Sequence, residues 1–332
     1  MAVTMRQVAS HAGVSLKTVS NVVNQYEHVS ASMRARVMAA IDELGYQMNV
    51  IARNLSTGRT GMLALAVPEL RLPYFAELAD AVMSAADRLG YTVLIEPTTG
   101  DPAGELEVLR SPRRSMTDGL IYSPTALRQA DAAALAVDFP MVLLGERSLR
   151  SDVDHVAMAN EAGGTMLTEH LLARGCRRIA LIGAHDAEVG AGSLRVRGVR
   201  GALARAGLDP DDLPSAGSQR WSRETGRAAV AELLARGERF DALVALNDAM
   251  ALGAMRALWD AGVDVPGEVR VAGFDDIEDS GYARPSLTTV NPGREEIART
   301  AVRLLVDRIE GRAEAASEHQ VPAELVVRES TG

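Results

Sequence analysis

Residues 4–24 have the sequence TMRQVASHAGVSLKTVSNVVN, and this stretch decides how the N-terminal end of the chain folds. Thr4, followed three residues later by Gln7, is a capping box, which predicts that a helix begins here. That helix is expected to end near His11, because Gly13 suits a tight turn. The pattern therefore opens with one short helix and a turn.

Two more helices are predicted after this turn. Ser15 can cap a second helix over residues 16–24, and Ser30 can cap a third, which ends at Gly45. The N-terminal end is thus a unit of three short helices.

The second helix has two different sides. Val19, Val22 and Val23 form an apolar stripe at helical spacing. The other side carries small polar groups and one charge, which suits either base edges and phosphates in a major groove or plain solvation. These polar residues are Lys17, Thr18, Ser20, Asn21 and Asn24.

Charge is distributed unevenly along the 332 residues. Residues 1–60 contain six Lys and Arg against three acidic residues, a net charge of +3, whereas the whole chain carries −9. The remaining 272 residues therefore hold −12. A basic head on an acidic body predicts a polyanionic partner for the head alone.

Composition also excludes several protein classes. With 47% apolar residues the chain is globular, and the single cysteine, Cys176, excludes a disulfide framework. No apolar run is long enough for a membrane span, and the N-terminus lacks the apolar core of a signal peptide. We expect a cytoplasmic protein without a membrane partner.

The order of residues in the head resembles the helix-turn-helix of the lactose-repressor (LacI–GalR) family. The match extends beyond the second helix into the segment that follows the third. It is carried by Thr4–Ala9, Ala12–Ser15, Thr18–Ser20, Val23-Asn24, Val29-Ser30, Leu44–Tyr46, Asn49, Ala52-Arg53 and Leu55.

This resemblance implies that the partner is double-stranded operator DNA and that the second helix is the recognition helix. Leu16, Lys17 and Asn21 match the base-reading positions of the family, although the angular position of Leu16 also permits core packing. The family's backbone-contacting positions fall on Thr4, Ser15, Thr18, Asn24, Tyr46 and Asn49.

A hinge follows the head. Asn49 can cap two turns of helix over residues 50–56, which is too short to be stable alone, so a plain linker is the alternative. The resemblance implies that this segment folds on a pseudo-palindromic operator when a homodimer binds. Leu55 would then wedge into the central minor-groove step, with Ala52 beside it.

From residue 62 onward, short apolar runs alternate with amphipathic helical patterns. Such alternation predicts parallel sheets covered by helices on both faces, in two doubly wound α/β lobes. The body also resembles periplasmic binding proteins, whose chain crosses between the lobes three times. The expected domains are a head over 1–48, a hinge over 49–61, a first lobe over 62–160 and 291–317, and a second lobe over 161–290 and 318–332.

Several polar residues stand where strands are predicted to end. Asn247-Asp248 and Asp275-Asp276 directly follow apolar runs, at the sheet edge where ligands bind in such folds. We assign helix capping to Asp248 and leave Asn247 for a ligand. Trp221, in a polar loop, suits stacking on a sugar, whereas Trp259 has a pattern of helix packing.

The resemblance places a small-molecule effector between the lobes. An aromatic ring, a guanidinium, an amide and carboxylates together suit an uncharged mono- or oligosaccharide better than a purine. The expected ligand residues are Tyr74, Phe75 and Glu146 from the first lobe and Arg195, Trp221, Asn247 and Asp275 from the second, with Asp276 and Arg294 as weaker candidates.

These features favour a transcriptional regulator, most simply a repressor, over an enzyme. The chain has no P-loop, no HExxH zinc motif and no Gly-x-Ser-x-Gly elbow, so neither a catalytic site nor a cofactor or metal is expected. The alternatives are a stand-alone sugar-binding protein, which has no use for the head, and a nucleotide- or purine-responsive regulator of the same fold.

Overall fold

The computed structural model describes residues 3–23, 26, 28–46, 59–146, 152–184, 190–218, 220–313 and 315–332. They belong to two compact units, a head (Met1–Thr60) and a body (Gly61–Gly332).

The head contains helices α1 (Met5–His11), α2 (Leu16–Val23) and α3 (Ala31–Leu44). The predicted capping box is present, since Oε1 of Gln7 accepts the backbone N–H of Thr4 at 2.8 Å. The predicted series of helices is therefore confirmed.

The ends of α3 and the core of the head also follow the sequence pattern. Oγ of Ser30 accepts the N–H of Met33 at 3.3 Å, and Gly45, with φ of 61°, ends the helix in the left-handed conformation. The three helices bury the apolar side chains that share one side of each; the core includes Val8, Val19, Val22 and Val37.

The body alternates strands and helices along the chain. Its elements are β1 (Met62–Val67), α4 (Pro73–Asp87), β2 (Thr92–Pro97), α5 (Pro102–Arg110), β3 (Gly119–Tyr122), β4 (Met141–Leu144), β5 (Asp154–Met158), α6 (Asn160–Ala173), β6 (Ile179–Ile182), α7 (Ala191–Arg205), β7 (Ser215–Ala216), α8 (Arg223–Ala235), β8 (Ala242–Ala245), α9 (Asp248–Asp260), β9 (Arg270–Phe274), α10 (Glu278–Tyr282), β10 (Thr288–Asn291), α11 (Arg294–Ile309), β11 (Glu318–Val321) and β12 (Glu324–Val326).

The strands form two sheets, one in each lobe. The first sheet has the order β11-β5-β4-β3-β1-β2, and all of its pairs are parallel. The second has the order β12-β10-β9-β8-β6-β7, in which only β12 runs antiparallel to its neighbour among the described strands. The predicted fold of two doubly wound α/β lobes is confirmed.

Both faces of the first sheet are covered, which explains its nearly continuous apolar strands. Along β1, Leu63 and Leu65 belong to the apolar cluster shared with α4 and α11. Ala64 and Ala66 belong to a second cluster on the opposite face.

One predicted lobe boundary is wrong. Residues 318–321 were expected in the second lobe, yet β11 pairs in parallel with β5 of the first sheet. The chain crosses to the second lobe only at Pro322-Ala323, between β11 and β12. Pro322 has no backbone N–H to donate to a neighbouring strand, so the strand ends there. The predicted boundary, after Ser317, lies before β11 begins.

Candidate functional site

Helix α2 presents its polar side to the surface of the head. Lys17 is exposed, and Leu16 keeps 44% of its surface exposed, whereas Val19 and Val22 are buried. Packing in the core is therefore not the role of Leu16. Asn21 lies half-buried on the same helix.

The other head residues predicted to contact DNA have clear local positions. Thr4 is exposed at the start of α1, and Oγ of Ser15 accepts the N–H of Thr18 at 3.1 Å, so Ser15 caps α2 as expected. Tyr46 packs at the edge of the head core. Asn24, Asn49, Ala52 and Leu55 lie outside the described residues, and so does most of the hinge over 49–61.

In the body, Arg195 is the centre of a buried polar cluster between the lobes. Its guanidinium lies against the ring of Phe274, with Cζ 3.5 Å from the ring centre. Nε donates to Oδ1 of Asn160 at 2.6 Å, and Nη1 donates to the carbonyl oxygen of Leu246. Nη2 is 3.4 Å from Oδ1 of Asp275. The guanidinium is therefore held in one orientation.

Asp275 follows β9 directly, as the sequence indicated. Its φ of 115° is in the left-handed region, which a residue other than glycine adopts only when its surroundings impose it. Burial raises the pKa of Asp275 to about 7, although the positive charges of Arg195 and Arg294 act to lower it. This carboxyl group can exchange a proton near neutral pH.

The first lobe contributes Glu146, Tyr74 and Phe75. Burial raises the pKa of Glu146 to about 7 against the lowering effect of Arg195. Tyr74 is in the first turn of α4, which Pro73 starts, and its ring meets Phe75 edge-to-face at 5.3 Å.

Tyr74 also interacts electrostatically with Asp275 of the second lobe. Burial raises the pKa of its hydroxyl, and the carboxyl group of Asp275 adds to this effect. The structure thus brings together Tyr74, Glu146, Arg195 and Asp275 from both lobes.

Three buried polar atoms in this cluster have no well-formed hydrogen bond among the described residues. They are the hydroxyl oxygen of Tyr74, Oε1 of Glu146 and Nδ2 of Asn160. The side chains of Glu146 and Asn160 are neighbours, and the Asn160 amide acts to lower the pKa of Glu146. Leaving such atoms unpaired costs about 1–3 kcal/mol each, so they suit a polar ligand. The sequence prediction missed Asn160, although it follows β5 as Glu146 follows β4, the neighbouring strand of the first sheet.

Trp221 lies beside Arg195 on the second lobe. Its ring centre is 5.3 Å from Cζ of Arg195, and its Nε1 donates to the carbonyl oxygen of Gly183 at 3.0 Å. A side chain at Gly192 would come within 3.0 Å of the indole. In contrast, Trp259 is 70% exposed, so its predicted packing role is wrong.

The predicted roles of Asn247 and Asp248 are interchanged in part. Oδ1 of Asn247 accepts the N–H of Met250 at 2.9 Å, so Asn247 caps α9. Its Nδ2 donates to the backbone carbonyl oxygen of Trp221 at 3.2 Å, which ties the start of α9 to the segment that carries this ring. Asp248 is fully buried and is not the cap.

The two weaker candidates lie around Asp275. Asp276 accepts hydrogen bonds from Arg328 at 2.6 Å and from Asn291 at 3.0 Å, which gives its carboxylate a structural role. Arg294 donates to the backbone carbonyl oxygens of Asp275 and Asp276, each at 3.4 Å.

Within the described ranges, no group of His, Cys, Asp and Glu side chains has the arrangement of a metal site. The helices of these ranges also include none with the length and apolarity needed to span a membrane.

Comparison with known proteins covers both units. Residues 4–49 match "Bacterial regulatory proteins, lacI family", and residues 168–331 match "Periplasmic binding protein-like domain". The ribose operon repressor of Halalkalibacterium halodurans is 33% identical over 328 residues, which are 99% of this chain and 97% of that protein. The HTH-type transcriptional repressor PurR of Photobacterium profundum is 29% identical over 98% of each chain.

A solved structure aligns with both units of this chain. The lac repressor dimer bound to operator and an anti-inducer aligns with a TM-score of 0.85 and 32% identity, covering 100% of this chain and 99% of that one. Since head and body both match along their whole length, the chain belongs to the lacI family of bacterial regulatory proteins, the ligand-responsive DNA-binding repressors.

Proposed function

We propose that this protein is a homodimeric repressor whose operator affinity is changed by a sugar bound between the two lobes of the body. The sugar is a mono- or oligosaccharide held by Tyr74, Phe75, Glu146, Arg195, Trp221, Asn247 and Asp275. The head and the hinge bind a pseudo-palindromic operator.

The observation that carries this proposal is the set of unpaired polar atoms around Arg195. The hydroxyl of Tyr74 and Oε1 of Glu146 come from the first lobe, while Nδ2 of Asn160 stands where the chain enters the second. A ligand that satisfies all of them contacts both lobes at once. Its binding energy therefore favours the closed arrangement.

The chemistry of these groups favours hydroxyl groups as partners. The carboxyl groups of Glu146 and Asp275 accept hydrogen bonds from hydroxyls, and the amide of Asn160 donates to them. Each carboxyl group has a pKa of about 7, so it also donates when it is protonated. The ring of Trp221 offers an apolar face for the C–H groups of a sugar.

A purine effector is the second candidate. The relative named PurR favours it, and so does the concentration of aromatic rings, since Tyr74, Phe75, Trp221 and Phe274 all belong to or adjoin the cluster. The relative named ribose operon repressor favours the sugar.

The proposed mechanism links the cleft to the DNA through the body dimer. The exposed α2 side chains Leu16, Lys17 and Asn21 contact base edges in the major groove, supported at the phosphates by Thr4, Ser15, Thr18, Asn24, Tyr46 and Asn49. Ala52 and Leu55 enter the minor groove at the centre of the operator. A lobe rotation of the body changes the spacing of the paired hinges, and a coupling of about 1–3 kcal/mol changes operator affinity 5–150-fold.

The test is calorimetric titration of the full chain with D-ribose, cellobiose, hypoxanthine and guanine, followed by anisotropy measurements on operator DNA selected from a random library. We expect a sugar to bind at one site per chain and to change the operator Kd at least fivefold. Arg195→Gln should abolish this binding. Arg197→Gln is the matched control, because Arg197 lies two residues along on α7 and is paired with Glu161 at the surface.

Two results would contradict the proposal. Saturable binding of a purine, without binding of either sugar, would establish the second candidate. Operator affinity that none of the four compounds changes would remove the regulatory link altogether.

A further inference from the structure

The segment Asp275–Glu278, which leads from β9 into the first residue of α10, belongs to the second lobe but is held by side chains of the first. We call it the docking loop. Oε1 of Glu77, on α4, accepts the backbone N–H of Glu278 at 2.9 Å. This bond joins residues 201 positions apart in the chain.

A second side chain of the first lobe reaches the same loop. Arg294, at the start of α11, donates to the backbone carbonyl oxygens of Asp275 and Asp276. Nη1 of Arg294 is also 2.8 Å from Oε2 of Glu77, and the two side chains are 14% and 23% exposed. Glu77 and Arg294 therefore hold each other in position, and each also forms hydrogen bonds to the docking loop.

The loop also has an apolar contact with the first lobe. Ile277 is 2% exposed and belongs to the apolar cluster of the first lobe, together with Leu78 and Ile297. Separation of the lobes would expose this side chain and would leave the Glu278 N–H without its carboxylate partner.

The backbone of the docking loop needs such support. Asp275 and Asp276 have φ angles of 115° and 49°, a conformation that non-glycine residues keep only where their neighbours enforce it. Arg294 binds the carbonyl oxygens of these same two residues. The second lobe holds this loop as well, through Asp248 at the Ile277 N–H and through Arg328 at the Asp276 carboxylate. The contacts with the first lobe therefore add to this support, and losing them can shift the carboxyl group of Asp275 relative to Arg195.

We propose that Glu77 and Arg294 are positioning residues that latch the docking loop to the first lobe and so couple closure of the cleft to the placement of Asp275. This rests on the proposed function, in which Asp275 binds the sugar. Glu77 and Arg294 act through the loop and need not touch the sugar themselves. Loss of the latch lowers the population of the closed form, and apparent sugar affinity falls in proportion.

The test compares Glu77→Ala with Asp80→Ala in the full-length protein. Asp80 is an exposed acid three residues along on the same helix, so the control makes the same change of charge without touching the loop. Hydrogen exchange is read by mass spectrometry at peptides that contain Glu278, and binding of D-ribose and cellobiose is measured by calorimetry. Arg294→Lys is a second variant that disturbs folding less, since it retains the charge but removes the guanidinium whose Nη1 meets both loop carbonyls and Glu77.

We expect Glu77→Ala to speed hydrogen exchange at the Glu278 amide. The variant should also bind the sugar about tenfold more weakly than the wild type does, for whichever of the two sugars the wild type binds. Its effector-free operator affinity should match that of Asp80→Ala. Arg294→Lys should change exchange and affinity in the same direction. A latch is excluded if exchange and sugar affinity of Glu77→Ala stay within twofold of the control.

The measurements separate failure of the latch from failure of the proposed function. If neither sugar binds the wild type, the sugar hypothesis fails, while the exchange rates still decide whether Glu77 holds the loop. If a sugar binds every variant equally and exchange is unchanged, the latch fails and the sugar site stands.

Discussion

Nη2 of Arg195 lies 3.4 Å from Oδ1 of Asp275, and both side chains are almost completely buried. The cation does not keep the carboxyl group fully ionised, because burial raises the pKa of Asp275 to about 7. Burial also lowers the pKa of Arg195 below its usual value. A ligand that supplies hydrogen bonds to this pair therefore replaces part of the solvation that both groups lost on folding.

The stability of the body should depend on pH through Glu146. Its pKa is raised from 4.5 to about 7 in the folded protein, so between about pH 5 and pH 7 the folded state binds more protons than the unfolded state. The free energy of unfolding must then fall as pH rises through this interval. Asp275 contributes a dependence of the same sign, because its pKa is also raised to about 7. Glu146→Gln should therefore reduce the dependence without abolishing it, measured as unfolding temperature at pH 5.5 and pH 7.5.

The control for this prediction is Glu161→Gln, since Glu161 is an exposed acid near the same lobe crossing. It should retain the wild-type dependence on pH. An identical slope in wild type and Glu146→Gln would mean that Glu146 ionises normally in the folded protein.

Gly198 should be indispensable for the packing of α7 on α6. A Cβ atom at this position would lie 2.1 Å from the carbonyl oxygen of Glu161 and 2.8 Å from the backbone nitrogen of Thr165. Both obstacles are backbone atoms, so Gly198→Ala should lower the free energy of unfolding by roughly 1–3 kcal/mol in urea denaturation. Because Arg195 is one turn away, sugar binding should weaken as well.

Gly201→Ala is the matched control on the same helix. Its nearest neighbour is the flexible end of the Arg205 side chain at 3.4 Å, so alanine should stabilise the helix by about 0.5–1 kcal/mol. Equal effects of the two substitutions would show that the approach of the helices does not depend on Gly198.

Asp248 should be a structural residue whose shape matters more than its charge. Its carboxyl group accepts from Oγ1 of Thr289 at 2.5 Å, from Oγ of Ser280 at 2.7 Å and from the N–H of Ile277 at 3.1 Å. Burial raises its pKa well above the usual value, so the neutral isostere Asn should cost little. Asp248→Ala leaves three buried donors unpaired and should cost roughly 3 kcal/mol or more in the same denaturation assay. Comparable losses for Asn and Ala would refute this view.

Leu16 should contribute to operator binding and little to the stability of the head. Since 44% of its surface is exposed on α2, Leu16→Ala should change stability by less than about 1 kcal/mol while lowering operator affinity in anisotropy measurements. Val19→Ala, one turn away in the core, should instead cost roughly 2 kcal/mol. Unchanged operator affinity for Leu16→Ala would exclude a contact with bases.

Short-range patterns allowed much of the fold to be predicted. The capping box at Thr4, the cap at Ser30 and the glycine at Gly45 each depend on groups within a few residues, and the structure has all of them. The same is true of β1, where an unbroken apolar run predicts a strand covered on both faces.

Predictions failed where two neighbouring residues suited the same local role equally well. Asn247 and Asp248 both suit a helix start, and the choice depended on donors supplied by residues 277, 280 and 289, which only the folded body brings to Asp248. Likewise, nothing within residues 317–321 indicates which sheet they join, because β11 acquires its partner β5 from more than 150 residues away.

By itself, the sequence determined the helices of the head, the alternation of strands and helices in the body, and the type of residue that stands at the ends of the strands. Hydrogen bonds and apolar periodicity act over a few residues, so these features can be deduced from the order of amino acids. The tertiary structure alone decided that Asn160 holds Arg195 and that Glu77 holds the Glu278 amide. The partners of these side chains are distant in the chain, and their geometry exists only once both lobes have folded and met.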